Sequence, residues 1–238
     1  MIPTARSTFP IGSGIRRPGA LLLLVLAAAV SAGTREETRE LLTGPDPLAG
    51  WQARSFAGET RYAPAREDGE VFVRAHARGS ASGRYRELDL PTERWPRLAW
   101  SWSVDAPVPV TDVRSREGDD FAARVYVVFS GGWAFWRTTT LVYVWATADA
   151  PETVWPNPFT DQAAMFAATR GPAPAERRWV DVERDLVADY ERAFGRSPPP
   201  IAAVAIMTDT DQTGAVARAR YARLRLLGAS RTDQASSR

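Results

Sequence analysis

The chain contains no cysteine and no lysine, and it has a single histidine, His76. Each absence removes chemistry. Without cysteine there are no disulfides, thiolate metal sites or thiol nucleophiles. Without lysine there is no phosphate-loop lysine, no Schiff base and no Ser–Lys dyad. One histidine leaves almost no material for a histidine zinc site or a Ser-His-Asp triad. Any catalysis must rest on Asp, Glu, Arg, Tyr or a bound hard cation. No apolar run reaches the roughly 20 residues of a transmembrane helix, so no membrane span is expected in the mature chain. No internal repeat and no interdomain linker is visible.

What is present begins with a targeting pattern. Arg16 and Arg17 precede an apolar run from Ala20 to Val30, and Val30-Ser31-Ala32 places small residues at a cleavage spacing. A charged start, a short apolar stretch and such a site describe a secretory signal peptide. Residues 1–32 are therefore expected to be a leader and the mature protein to be exported, with the periplasm as its expected compartment. The leader carries three arginines and no acid, which leaves 27 arginines against 28 acids and a net charge of −1. The basic isoelectric point of the whole chain thus gives no warrant for a nucleic-acid partner, and none is expected. Residues 33–50 read as a polar lead-in with a short helix from Glu36 to Leu42. Residues 51–228 read as one domain, and residues 229–238 as a disordered tail.

The body of the chain alternates rather than turning with helical period. In Leu98 to Val104, Leu98, Trp100, Trp102 and Val104 interleave with Ala99, Ser101 and Ser103, the period-2 mark of a strand. Phe121 to Phe129 repeats it, with Arg124 and Tyr126 opposite an apolar face. Val71 to His76, Tyr85 to Leu90, Thr139 to Ala146, Ala163 to Thr169, Trp179 to Glu183, Ile201 to Thr208 and Ala217 to Leu226 complete the strand set. One helix interrupts them: Asp185 is a capping residue, Leu186, Val187, Tyr190 and Phe194 form its stripe, and Gly195 stops it. Short strands, one crossing helix and nine tryptophans predict an all-β, single-domain antiparallel β-sandwich of jelly-roll, carbohydrate-binding-like type.

Four ordered blocks, "GDDFAARVYVVF", "NPF", "DYERAFG" and "AIMTDTDQTG", resemble the bacterial domain-of-unknown-function family DUF3047. The resemblance covers roughly Trp51 to Leu226. It implies an exported, single-domain protein and supplies no activity. In that family an asparagine is usual at position 212, where this chain has Gln212, and an acid is usual at position 223, where it has Arg223. The second departure takes a carboxylate from the last strand, expected near the aspartate loop.

Several residues carry candidate chemistry. Asp209, Asp211 and Thr213 alternate in a loop closed by Gly214, so side chains and carbonyls could wrap a calcium ion. The full EF-hand spacing is absent, and the same residues also suit a plain turn. Asp119 and Asp120 precede a strand, as turn residues or as site carboxylates shared with Asp209 or Asp211. Arg124 and Tyr126 could form a sugar platform, joined by Tyr143 and Trp145 if Tyr126 pairs with Tyr143; a one-residue slip would separate them. Trp133, Phe135 and Trp136 lie on the predicted loop from Ser130 to Thr138. Asn157 reads as part of a rigid turn.

Three functions follow. The leading one is binding of an envelope or extracellular glycan without catalysis, with Asp120, Arg124, Tyr126, Trp133 and Trp136 as contacts and Asp209, Asp211 and Thr213 as a stiffening, calcium-capable loop. The second is a glycosidase or polysaccharide lyase using Asp120, Asp209 and Arg124 or Tyr126; it requires two of the carboxylates to share a cleft, one with a raised pKa. The third is a structural or partner-binding envelope protein, which requires no concave polar–aromatic patch.

Overall fold

The structure is a computed structural model of the chain, and it describes residues 36–109, 112–132, 138–147, 149–170 and 178–229. The expected leader over residues 1–32, the tail from residue 230 and the ring cluster of Trp133, Phe135 and Trp136 lie outside the described residues.

The elements are β1 (Thr38–Glu40), β2 (Gln52–Ala57), β3 (Arg61–Glu67), β4 (Glu70–Arg78), β5 (Ala81–Leu90), β6 (Arg97–Ala106) and β7 (Arg124–Phe129). They continue with β8 (Thr139–Ala146), β9 (Val154–Asn157), β10 (Thr160–Arg170), β11 (Val180–Asp185), α1 (Leu186–Phe194), β12 (Ile201–Asp209) and β13 (Val216–Leu227). One sheet runs β11-β6-β13-β4-β3, with β1 added to β13; the other runs β2-β5-β12-β7-β8-β10-β9. Together they form a jelly-roll-type β-sandwich with one short helix.

The alternation read in the sequence sets which side chains enter the core. Leu98, Trp100, Trp102 and Val104 of β6 meet Val125, Val127 and Phe129 of β7 and Leu141, Tyr143 and Trp145 of β8 between the sheets. The Trp100 and Trp102 rings stand edge to face, 5.2 Å apart. Asp185 caps α1 by accepting the Val187 and Ala188 N–H groups, and Gly195 ends it at φ 67°, where a Cβ would be strained. Tyr190 carries the helix into the core against Phe129.

Five readings need correction. Residues 38–40 pair with β13 instead of entering a helix, and Leu41 and Leu42 are buried behind them, so tertiary pairing overrides a short segment's helical pattern. The strand expected from Phe121 starts at Arg124, and Phe121 leaves the main core for a second cluster. Strands β2, β3 and β9 carry weak patterns because each lies at a sheet edge; β3 even accepts Pro64, which edge strands tolerate. The sandwich is not wholly antiparallel, since β10 runs parallel to β8, with residues 147–153 and β9 as the connection that parallel pairing demands. Finally, Tyr126 pairs with Val142, and Tyr143 pairs with Val125. That slip puts Tyr143 and Trp145 in the core, so they share no platform with Arg124 and Tyr126.

The outer face of the seven-stranded sheet positions the site. At one side Val142, Val144, Met165 and Ala167 are covered by Val113, Phe121 and Trp155, a small second core. The rest of that face stays open.

Candidate functional site

Sheet register lays three cross-strand rows along the open face. One holds Arg54, Gly83, Met207 and Arg124; the next holds Gln52, Tyr85, Ala205, Tyr126 and Val142; the third holds Glu87, Ala203, Val128, Thr140 and Ala163. Glycine and alanine at 83, 203, 205 and 163 keep the floor low beside larger neighbours. The result is a groove of about 510 Å³ lined by Phe56, Tyr126, Val128, Thr140, Phe159 and Met207 among others. It continues past Phe56, Tyr126 and Met207 into a second hollow of about 330 Å³ that reaches Arg54, Tyr85 and Glu87.

Two aromatic rings stand out. Phe56 is 63% exposed and Phe159 is 50% exposed, the large hydrophobic side chains most open to solvent among the described residues. Both line the same groove. Each carries a guanidinium over its face, Arg54 on Phe56 at 5.4 Å and Arg116 on Phe159 at 5.3 Å. Asn157 holds its turn by accepting the Phe159 N–H at 3.0 Å, which props that ring at the groove's edge. Neither ring was singled out from the sequence. Phe56 sits on a strand without a clear pattern, and Phe159 was legible only as part of "NPF", a proline-flanked aromatic on a turn.

The groove ends at a buried ionic cluster. Arg124 is only 2% exposed, and its Nε donates to Asp209 Oδ1 at 2.8 Å while Nη2 donates to Asp209 Oδ2. Nη1 donates to Asp119 Oδ1 at 3.1 Å, Nη2 also donates to the Asp119 carbonyl, and the Phe121 ring lies 4.6 Å beneath the guanidinium. Asp119 reaches Arg124, five residues on, because residues 119–123 are not strand. Burial works against the charge on Arg124, but Asp209, Tyr126 and Asp119 hold it well above its ordinary range. Burial pushes the Asp209 carboxyl up to about 7 even with Arg124 opposing, and it raises Asp119 as well. The Tyr126 phenol is raised by burial and stays a neutral donor, bonded to Met207 Sδ at 3.4 Å.

Asp120 points the other way. Its Oδ2 accepts the Thr213 N–H at 2.7 Å and its Oδ1 accepts the Gln212 N–H at 3.3 Å, fastening the aspartate loop. Asp209 and Phe121 are bonded twice, the Asp209 N–H donating to the Phe121 carbonyl at 3.2 Å and the Phe121 N–H donating to the Asp209 side-chain Oδ1 at 3.4 Å. Beneath them Tyr221 donates to the Met207 carbonyl at 2.6 Å and accepts the Arg124 N–H at 3.2 Å. Oxygens of Asp120, Asp209 and Asp211 all lie within 4.8 Å of one another, so the three carboxylates could hold a cation. Most of these donors are already engaged: both Asp209 oxygens by Arg124, both Asp120 oxygens by loop amides, Asp211 Oδ2 by Gln212, and the Thr213 hydroxyl by the Ala215 N–H at 3.2 Å. Arg223 does not approach this loop; it pairs with Glu70 and Asp181 on the outer face of the other sheet.

The structure thus gathers Asp120, Arg124, Tyr126, Asp209 and Asp211 at one end of the groove, and the pH dependence of folding reports on their coupling. Asp209 titrates near 7 folded and near 3.9 unfolded. Its stabilising contribution is full below about pH 4 and lost as pH rises to about 7. Urea midpoints of the wild type, taken relative to Asp209→Asn, are expected to fall over that window and level off above it. A difference that instead grows with pH would mean that Arg124 holds Asp209 ionised.

Among solved structures, the family 11 carbohydrate-binding module of a Clostridium thermocellum cellulosomal cellulase matches with a TM-score of 0.45 at 10% identity, over 83% of this chain and 97% of that one. The family 30 module of another cellulosomal cellulase of that organism matches at 0.46 and 9% identity, over 82% and 98%. The xyloglucanase domain of a Sinorhizobium fredii type three effector matches at 0.42 and 8% identity, over 76% and 95%. No curated protein matches the sequence. The family described as protein of unknown function (DUF3047) matches residues 49–225, and the chain belongs to it.

Proposed function

We propose that the protein is exported to the periplasm and binds a glycan chain in the groove without cleaving it. The observation that carries this reading is the pair of exposed rings, Phe56 and Phe159, on one groove with Tyr126 between them in the lining. A sugar ring offers C–H faces to aromatic carbon and hydroxyls to polar neighbours, and exposed apolar surface of this kind marks a binding site. Gln52, Glu87, Thr140 and Asp211 supply polar groups along the same face. A groove of about 510 Å³ falls within the usual range for ligand sites. Its concavity also counts against a purely structural protein.

A hydrolase is the second reading, favoured by the close carboxylates and the raised Asp209. Retaining glycosidases place their two carboxyl groups about 5–5.5 Å apart. What weighs against it is Asp209 itself, 2% exposed with both oxygens turned to Arg124.

Affinity electrophoresis on xylan, mixed-linkage glucan and polygalacturonate is expected to retard the wild type on at least one of them. Phe56→Ala/Phe159→Ala should lose about tenfold in affinity per ring, with an unchanged melting temperature. No retardation on any polysaccharide would remove the proposal. Release of reducing ends by the wild type but not by Asp211→Asn would favour the hydrolase.

We infer that the loop oxygens serve Arg124 and the backbone rather than calcium. Melting temperatures in millimolar calcium and in EDTA are then expected to coincide. A rise of about 5–11 °C with calcium, lost in Asp211→Asn, would make the loop a cation site. Export has its own test: protein released by osmotic shock is expected to begin at Gly33, and retention in the cytosol with an intact Met1 would overturn it.

A further inference from the structure

The face of the sandwich away from the groove carries a second pattern. On the outer side of the six-stranded sheet, Arg61 of β3 and Arg218 of β13 flank His76 of β4, one on each side of it. In the adjoining row Arg74 of β4 faces Arg220 of β13, and Arg78 lies two residues beyond His76. Arg61, Arg74, Arg78 and Arg218 are all exposed. Like charges directly across strands destabilise a sheet, and here the residue directly across from Arg74 is Arg220, which is buried and met by two acids.

The acids of this face pair with other arginines and only partly offset these four, since Arg220 and Arg223 each hold two acids. Glu67 and Asp105 pair with Arg220, each at 3.0 Å. Glu70 and Asp181 pair with Arg223, and Glu183 pairs with Arg97. Arg61, Arg74, Arg78 and Arg218 form no ion pair among the described residues. Their field is felt by His76, which burial and then Arg218, Arg78 and Arg61 hold below its ordinary range. A net charge near zero over residues 33–238 hides this segregation, which only the register of three strands creates.

We propose that this arginine face docks the protein on an anionic phospholipid surface. The charges spread over two dimensions, Arg61 and Arg218 two strand spacings or about 10 Å apart and Arg74 and Arg78 four residues or about 13 Å apart, which suits a plane of headgroups better than one linear polyanion. Among the described residues the rings at this face are Phe72, which is buried, and Trp179, half-buried against Phe72 and Arg220, so neither stands free for stacking bases. Among the described residues it also offers no large exposed apolar side chain for insertion, so attachment is electrostatic and salt-sensitive. With the groove on the opposite sheet, a docked molecule would turn its glycan site away from the lipid.

The test is sedimentation with vesicles, using protein purified from cells that express the whole chain. Vesicles of phosphatidylcholine with about one-third phosphatidylglycerol are compared with pure phosphatidylcholine, at low salt and at several times that ionic strength. Binding is expected only to the anionic vesicles and to fall steeply with salt. Arg74→Gln/Arg218→Gln should weaken it about thirty-fold, whereas Arg39→Gln/Arg196→Gln, an equal loss of charge elsewhere, should leave most of it. Equal binding to both vesicle types, no binding to either, or equal losses in the two variants would overturn the proposal. Tighter binding to duplex DNA than to the anionic vesicles at the same salt would overturn it in favour of a nucleic-acid surface.

Discussion

The guanidinium of Arg124, sealed between Asp209 and Asp119 over the ring of Phe121, is the interaction on which the rest of the candidate site depends. It joins the segment before β7 to the end of β12. Asp120 then fastens the loop that follows, and Tyr221 ties both to the opposite sheet. A buried charge of this kind is tolerable only when its partners meet nearly every donor. Four of the polar contacts of Arg124 fall on just two aspartates, so the two loops cannot separate without exposing an unpaired charge in the interior. The groove's closed end is fixed by that condition.

The open length of the groove has a different origin. Small residues at 83, 163, 203 and 205 remove side-chain height from the middle strands, and a residue as small as alanine at 83 would already bring its Cβ to 3.0 Å from the Ile206 carbonyl. The larger groups stand at the margins, where β2 and the turn before β10 carry Phe56 and Phe159. A second small core under Val113, Phe121 and Trp155 covers the other part of the face. Depth, walls and aromatic rims therefore come from elements whose own sequence patterns are among the weakest in the chain.

The two faces of the sandwich divide the chemistry between them. One is low in unpaired charge along its floor, with aromatic edges. The other presents arginines whose acidic neighbours are engaged elsewhere. A molecule with a nearly neutral total charge can hold both because sheet pairing sorts residues by parity, and parity is independent of the total.

The sequence alone determined the fold class, the span and caps of α1, and the core faces of β6 and β7, because strict alternation and a capping aspartate are local signals. It also singled out Asp120, Arg124, Tyr126, Asp209 and Asp211 as candidates, and the fold brings these together at one end of the groove. It left open what those residues do. Whether Arg124 faces a ligand or a carboxylate depends on where two loops separated by some eighty residues meet. Whether Tyr126 shares a surface with Tyr143 depends on one step of register. The rings at 56 and 159, the arginine face and the parallel pairing of β8 with β10 were likewise decided only in three dimensions, because each is a relation between strands that no single strand's pattern contains.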